Sequence, residues 1–177
     1  MPLASYDTVL LNGSVGTGKT TTAERLGDEM KRCGIPGAVI DVDGLRHSWP
    51  TTADDPFQTA LALTNLQAVA SNFRRAGARV LVVATVAETH DELARTATAL
   101  TSNRMLHLRL TATPEVVLSR LRKRHENDDD ALRWHAHRHP ELEHVLDRAG
   151  FTDALRIDTT DKTAKQVAGE ILAHLVS

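Results

Sequence analysis

The stretch that most constrains this chain is Gly13-Ser14-Val15-Gly16-Thr17-Gly18-Lys19-Thr20, which satisfies G-x-x-x-x-G-K-[ST] in full. A hydrophobic run, Val9-Leu10-Leu11, leads into it, and Thr21 to Lys31 reads as helix. That strand–loop–helix setting is the context in which the motif has physical meaning. Glycines let the backbone curl until successive N–H groups point inward, and the following helix adds the positive end of its dipole. The loop therefore predicts binding of a nucleoside triphosphate. Gly13, Ser14, Val15, Gly16, Thr17, Gly18, Lys19, Thr20 and Thr21 are its expected cradle. Lys19 is expected to reach the outer phosphates, and the Thr20 hydroxyl to take a place on Mg²⁺.

Downstream, hydrophobic runs of strand length alternate with longer stretches of helical period, the pattern of an α/β chain with a parallel sheet. Strands are predicted at Thr8 to Asn12, Ala38 to Asp41, Arg79 to Ala84, Met105 to Leu110 and Leu155 to Asp158. Val80-Leu81-Val82-Val83 is continuous enough to be buried on both faces. The first helix is predicted to end near Arg32, stopped by Gly34 and Pro36-Gly37. A second runs from Phe57 to Arg75, with Phe57, Leu61, Leu66, Val69 and Phe73 as its apolar face. Further helices are predicted at Asp91 to Leu100, from Pro114 in a first turn onward, through a His- and Arg-rich stretch to Ala149, and at Thr163 to Leu175. Val42 to Pro56 reads as too irregular for an element. With 177 residues and no repeat, low-complexity tract or dividing linker, one domain spanning 1–177 is expected.

Composition removes several classes of function. A formal net charge of −2 gives no basic footprint for nucleic acid, and two Trp, one Tyr and three Phe leave little for base-stacking platforms. Cys33 is the single cysteine, so no intramolecular disulfide can form; it reads as a small apolar residue near a helix end. Met1 to Asp7 lacks the basic-then-apolar pattern of a leader, and no apolar run approaches a membrane span. A soluble cytoplasmic protein is expected, with monomer and homodimer both open.

In an open parallel sheet, ligands sit beyond the carboxyl ends of the strands. Asp41, at such an end, is expected beside the phosphate-binding loop. A carboxylate there can accept the proton of an attacking hydroxyl or hold a water on the metal. Asp43 can orient the loop or the acceptor. Arg46 can form a bidentate pair with an anionic acceptor group. The third strand ends Val83-Ala84-Thr85 with no acid before Glu88, which counts against a mechanochemical ATPase and for a small kinase. The acceptor pocket is expected from the Val42 to Pro56 excursion, the segment around Glu88 and the helix near Trp134. Trp49 and Trp134 can each line a pocket or pack. Arg120 and Arg124, four apart, would share a helix face as the arginines of a lid over about 120–140. The acidic patch Asp128-Asp129-Asp130 can latch that segment or keep it soluble. His135, His137 and His139 alternate; a zinc pair lacks further ligands, so solvated or substrate-facing histidines are favoured. Asp158-Thr159-Thr160-Asp161 lies where a loop can pass over a nucleotide base.

These residues resemble the P-loop small-molecule kinases. Asp41-Val42-Asp43-Gly44-Leu45-Arg46-His47 is similar to the Asp-Gly-Asp-x-x-Arg segment of adenylylsulfate kinases, and Asn65, followed by a helix and Ala76-Gly77, fits the same pattern. The resemblance implies Asp41 as catalytic base and Arg46 as a group that holds the acceptor, with Asn65 on the substrate side. Arg120-Leu121-x-x-Arg124 resembles the lid of gluconate and shikimate kinases, implying adenine packing for Arg120 and phosphate contact for Arg124. Asp158 and Thr160 would then brush the adenine. Chloramphenicol phosphotransferase shares the layout. Thr85-Val86-Ala87-Glu88 replaces the Phe-Ile-Ser-Pro of adenylylsulfate kinases, their Asp-Pro-Lys-Gly-Leu-Tyr motif is absent, and His125-Glu126 replaces the gluconokinase His-Phe. Neither sulfate activation nor a sugar-acid acceptor is thereby supported. The resemblance implies a P-loop NTPase fold of the nucleoside-monophosphate-kinase-like type, with a five-stranded parallel sheet, flanking helices and a helical lid. It implies ATP- and Mg²⁺-dependent transfer to a small-molecule hydroxyl. Two other readings stay open: a nucleotide or polynucleotide 5′-end kinase, and a nucleotide-sensing protein without catalysis.

Overall fold

In the computed structural model, which describes residues 5–176, β1 (Thr8–Asn12) sits at the centre of a five-stranded sheet. Part of the N-terminal segment read for a leader lies outside those residues. The other strands are β2 (Gly37–Asp41), β3 (Val80–Ala84), β4 (Met105–Thr111) and β5 (Leu155–Asp158). They are all parallel, in the order β2-β3-β1-β4-β5. Residues of β1 and β3 are buried throughout, because helices cover both faces. The helices are α1 (Lys19–Arg32), α2 (Thr59–Arg75), α3 (His90–Ala99), α4 (Pro114–Arg124), α5 (Asp129–Ala149) and α6 (Ala164–Val176).

Side-chain alternation along the strands divides the core. Val9 and Leu11 of β1 join Leu106, Leu108 and Leu110 of β4 under α1 and α6, through Leu26, Met30, Ile171 and Leu175. Leu10 points to the opposite face, where it meets Leu93 of α3 and Leu146 of α5. Leu81 and Val83 of β3 pack with Ala62, Leu66 and Ala70 of α2.

Three expectations are corrected. The buried face of α2 is Ala62, Leu66 and Ala70, whereas Phe57 is 63% exposed and Leu61 and Phe73 are partly exposed. Small residues let the helix approach the sheet closely, so the alanines carry the contact and the larger side chains flank it. The stretch after β2 is not wholly irregular either. Val42–Arg46 forms a 3₁₀ turn, started by the Asp41 carboxylate accepting the Asp43 N–H at 3.0 Å. Cys33 is exposed at the C-terminal end of α1 and not packed as an apolar residue.

α5 docks on the sheet by charge as well as by the packing of Leu146. His107 and Arg109 of β4 point to the α5 side of the sheet. Buried Arg109 donates to Asp147 and Glu143, each at 2.8 Å. Asp128 caps this helix by accepting the Ala131 N–H, which is where the acidic patch is used. No helix among the described residues is long and apolar enough to cross a membrane.

Candidate active site

The glycine-rich turn between β1 and α1 leaves no room for side chains where it meets the rest of the fold. Gly13 has φ 144°, and a Cβ there would lie 2.5 Å from the Leu110 carbonyl oxygen. Gly16 has φ 80°, and its Cβ would lie 2.7 Å from Cγ1 of Val117 in α4. The loop is thus wedged against β4 and α4. Gly13→Ala is expected to destabilise the protein by about 2 kcal/mol or more, since the obstruction is backbone and the φ is strained. A thermal melt checks this; an unchanged transition would show that the loop can shift.

Lys19 folds back over the loop and donates to the Gly13 and Ser14 carbonyls at 2.9 and 3.0 Å. Burial lowers its pKa to about 8, against the opposing pull of Asp43 and Asp41. The loop thus holds a desolvated ammonium that an anion would stabilise. Beside it, Thr20 Oγ1 donates to Asp41 Oδ2 at 2.7 Å. β2 lies one strand away from β1, yet its last residue meets the first turn of α1. The two residues read as metal-associated therefore stand together, and both present oxygen, the donor type Mg²⁺ prefers.

A cleft of about 1240 Å³ opens over these groups, lined by Val15 to Thr22 of the loop and α1. On its other side lie Asp43, Arg46, Phe57, Glu88, Arg95, Trp134 and Arg138. Arg46 sits 3.7 Å from Asp43, with a buried Nε that has no hydrogen-bond partner among the described residues. Glu88 accepts from Arg138 at 2.7 Å. Trp134 lines the cleft with its ring against His135. Trp49, at 88% exposure, neither packs nor lines it. Asn65 lies off the cleft wall and donates to the Leu45 carbonyl at 2.8 Å, so it anchors the turn that presents Asp43 and Arg46.

The late arginines part company. Arg124 is exposed on the cleft wall. Arg120 is not free to swing: it donates to Gly16 O at 3.3 Å, Thr159 Oγ1 at 3.0 Å and Thr159 O at 2.7 Å. Asp158 and Thr160 do not line the cleft. Asp158 accepts from the backbone and hydroxyl of Thr160, contacts that hold its carboxyl below the ordinary carboxylate pKa. Buried Thr159 between them is the residue that faces the loop, with its hydroxyl in reach of Thr17 O and Thr111 O.

The family model of the AAA domain matches residues 9–139, from β1 into α5. The chain belongs to the AAA domain family. Its fold is that of P-loop small-molecule kinases. A gluconokinase from Sinorhizobium meliloti 1021 is 20% identical with a TM-score of 0.60, over 95% of this chain and 90% of that one. A tunicamycin resistance protein of Deinococcus radiodurans is 25% identical with a TM-score of 0.60, over 94% and 93%. The Mycobacterium tuberculosis APS kinase, solved with AMPPNP and APS, is 17% identical with a TM-score of 0.58, over 97% and 98%. Comparison with curated protein sequences gives no match.

Within this AAA domain, the His-x-His-x-His run separates into three environments. His135 stacks on His125, with centroids 4.6 Å apart, and His137 pairs with Glu141. His139 is buried against the phosphate-binding loop, its Nδ1 2.6 Å from Ser14 Oγ, and so is neither solvated nor substrate-facing. The sequence did not disclose Arg138 at all, nor that His139 and Thr159 would meet the phosphate-binding loop. Their partners lie 50, 125 and 142 positions away in the chain, respectively.

The depressed pKa of Lys19 carries a signed prediction. Phosphate contact stabilises the ammonium and raises its pKa, so triphosphate binding takes up protons once the pH reaches the free value. Uptake is expected to be near zero at pH 6.5 and about half a proton at pH 8, with affinity falling as pH rises above about 8. Calorimetry in two buffers of different ionisation enthalpy measures it. Equal heats at pH 8 in both buffers would contradict it.

Proposed function

We propose that the 177-residue chain acts as one ATP- and Mg²⁺-dependent kinase domain that transfers the γ-phosphate to a hydroxyl of a small molecule, with the region about 120–140 as its lid. The observation that carries this is the meeting of Thr20 and Asp41 at 2.7 Å, which joins the phosphate loop to a carboxylate at the edge of an open cleft. In this reading the loop amides and Lys19 hold the phosphate chain. Asp41 Oδ1 accepts the Asp43 N–H and Oδ2 accepts the Thr20 hydroxyl, so Oδ2 is the oxygen that takes a proton once that hydroxyl turns to the metal. Asp41 accepts the proton of the acceptor hydroxyl as that oxygen bonds to the γ-phosphorus. The bond from the γ-phosphorus to its bridging oxygen breaks, and ADP leaves. Thr20 and Asp41 would hold Mg²⁺, which when bound offsets charge on the phosphate oxygens. Arg124 does the same from the lid, and Arg120 packs at the nucleotide end.

The acceptor side combines the Arg46 guanidinium, whose buried Nε faces Asp43 at 3.7 Å without a hydrogen-bond partner among the described residues, and two exposed aromatic rings, Phe57 and Trp134. Asp43, Glu88 and Arg138 complete that wall. These groups favour an acceptor that carries an anionic group and an apolar or ring-shaped face. The likeness to a tunicamycin resistance protein favours a natural product among such molecules. A panel of hydroxylated small molecules, assayed by ADP release, tests the proposal. Release well above the rate with water is expected for at least one acceptor of that kind. ATP binding with no acceptor-dependent release would favour nucleotide sensing.

A further inference from the structure

Consecutive residues of α5 clasp two loops that frame the cleft. Arg138 reaches Glu88 after β3, at 2.7 Å, and His139 reaches Ser14 in the phosphate loop, at 2.6 Å. The next residue is Pro140, inside the helix. A proline there has no N–H to give to the preceding turn, so the helix is locally weakened where it touches the loop. The segment before it, Asp129 to His139, carries Trp134 and His135 on the cleft wall. The segment after it is fastened to the sheet by Glu143 and Asp147 on Arg109.

Ser14 links that helix to the chemistry. Its side chain is fully buried, and its carbonyl accepts from both Thr17 Oγ1, at 2.8 Å, and Lys19 Nζ, at 3.0 Å. A shift of Ser14 would therefore move the oxygen on which the phosphate-binding lysine rests. Burial keeps the His139 imidazole below its ordinary pKa and so neutral, with one ring nitrogen able to accept. Glu143, one turn on, and a hydrogen bond with the Val15 backbone of the same loop oppose that effect.

We propose that His139 is a positioning residue that couples the lid half of α5 to the phosphate loop through Ser14, so that the acceptor wall and Lys19 are held in one arrangement. The inference rests on the kinase reading. His139 does not touch the reacting atoms.

Ser14→Ala and His139→Leu remove the contact from either side, and His139→Asn supplies a neutral amide near the Nδ1 position. The first readout needs no ligand. Amide hydrogen exchange in the 129–139 segment is expected to rise roughly tenfold in Ser14→Ala, although the substitution lies in another element. The second uses ATP with Mg²⁺. ADP release at saturating ATP is expected to fall at least roughly tenfold in Ser14→Ala and His139→Leu, with KM for ATP changed less than about threefold and recovery in His139→Asn. The double variant Ser14→Ala/His139→Leu should be no worse than either single one.

Unchanged exchange in Ser14→Ala, equal loss in His139→Asn and His139→Leu, or additive losses in the double variant would each overturn the coupling. Wild-type protein that fails to bind a fluorescent ATP analogue would overturn the kinase reading and this inference with it. Normal binding with undiminished release in Ser14→Ala would overturn the inference alone.

Discussion

Asp41→Asn is expected to lower acceptor-dependent turnover by roughly 10²–10⁴-fold, the range contributed by a positioned general base. The substitution isolates proton transfer because it keeps the local hydrogen bonds. An asparagine oxygen can still accept the Asp43 N–H that starts the 3₁₀ turn, and a polar atom still faces Thr20. The fold and the loop should therefore survive, with ATP affinity changed by no more than about threefold if binding rests chiefly on the loop. Turnover near the wild-type value with an identified acceptor would remove Asp41 as the base.

Arg109→Met has the largest expected effect on stability. Arg109 is 5% exposed and answers two carboxylates of α5, of which Glu143 is the more enclosed and Asp147 is half exposed. Methionine fills similar space but leaves Glu143 facing the sheet without its cation. Removing one partner of a buried pair costs about 3–5 kcal/mol, most of it the uncompensated charge. The exposed Asp147 adds little, since water can take the place of its partner. Urea unfolding measures the change, and Glu143→Gln in the same background should restore part of it. A loss below about 1 kcal/mol would mean that water reaches Glu143 and that α5 docks by packing alone.

The two arginines differ in what the sequence could disclose. Arg120 stood out because it belongs to a dense basic run at a helix end. Arg109 lies in a strand whose alternating polar residues, His107 and Arg109, would face water if no helix covered them. Only the docking of α5 turns that face inward. The same limit applies at the cleft. Asp41 was legible because a strand end in a parallel sheet fixes where a side chain emerges, and the P-loop because its function lies in local backbone geometry. His139 was hidden because alternation in a polar helix looks the same whether one histidine is buried or none is. Asp158-Thr159-Thr160 was read for its location, yet the chain turns so that the middle threonine, not its neighbours, meets the loop. On α2, size misled: Phe57 and Phe73 were the conspicuous apolar residues, but close approach to the sheet selects Ala62 and Ala70.

Every role assigned to the cleft depends on the loop at Gly13 to Thr20 binding a triphosphate. Calorimetric titration of the folded protein with ATP and Mg²⁺, repeated on Lys19→Met, tests this most directly. Saturable binding at one site is expected for the wild type, with affinity lost by at least roughly a hundredfold in Lys19→Met, because a desolvated ammonium is replaced by an uncharged group. Absence of binding by well-folded wild-type protein, at more than one temperature so that a vanishing heat cannot mask it, would contradict the account. So would undiminished affinity in Lys19→Met.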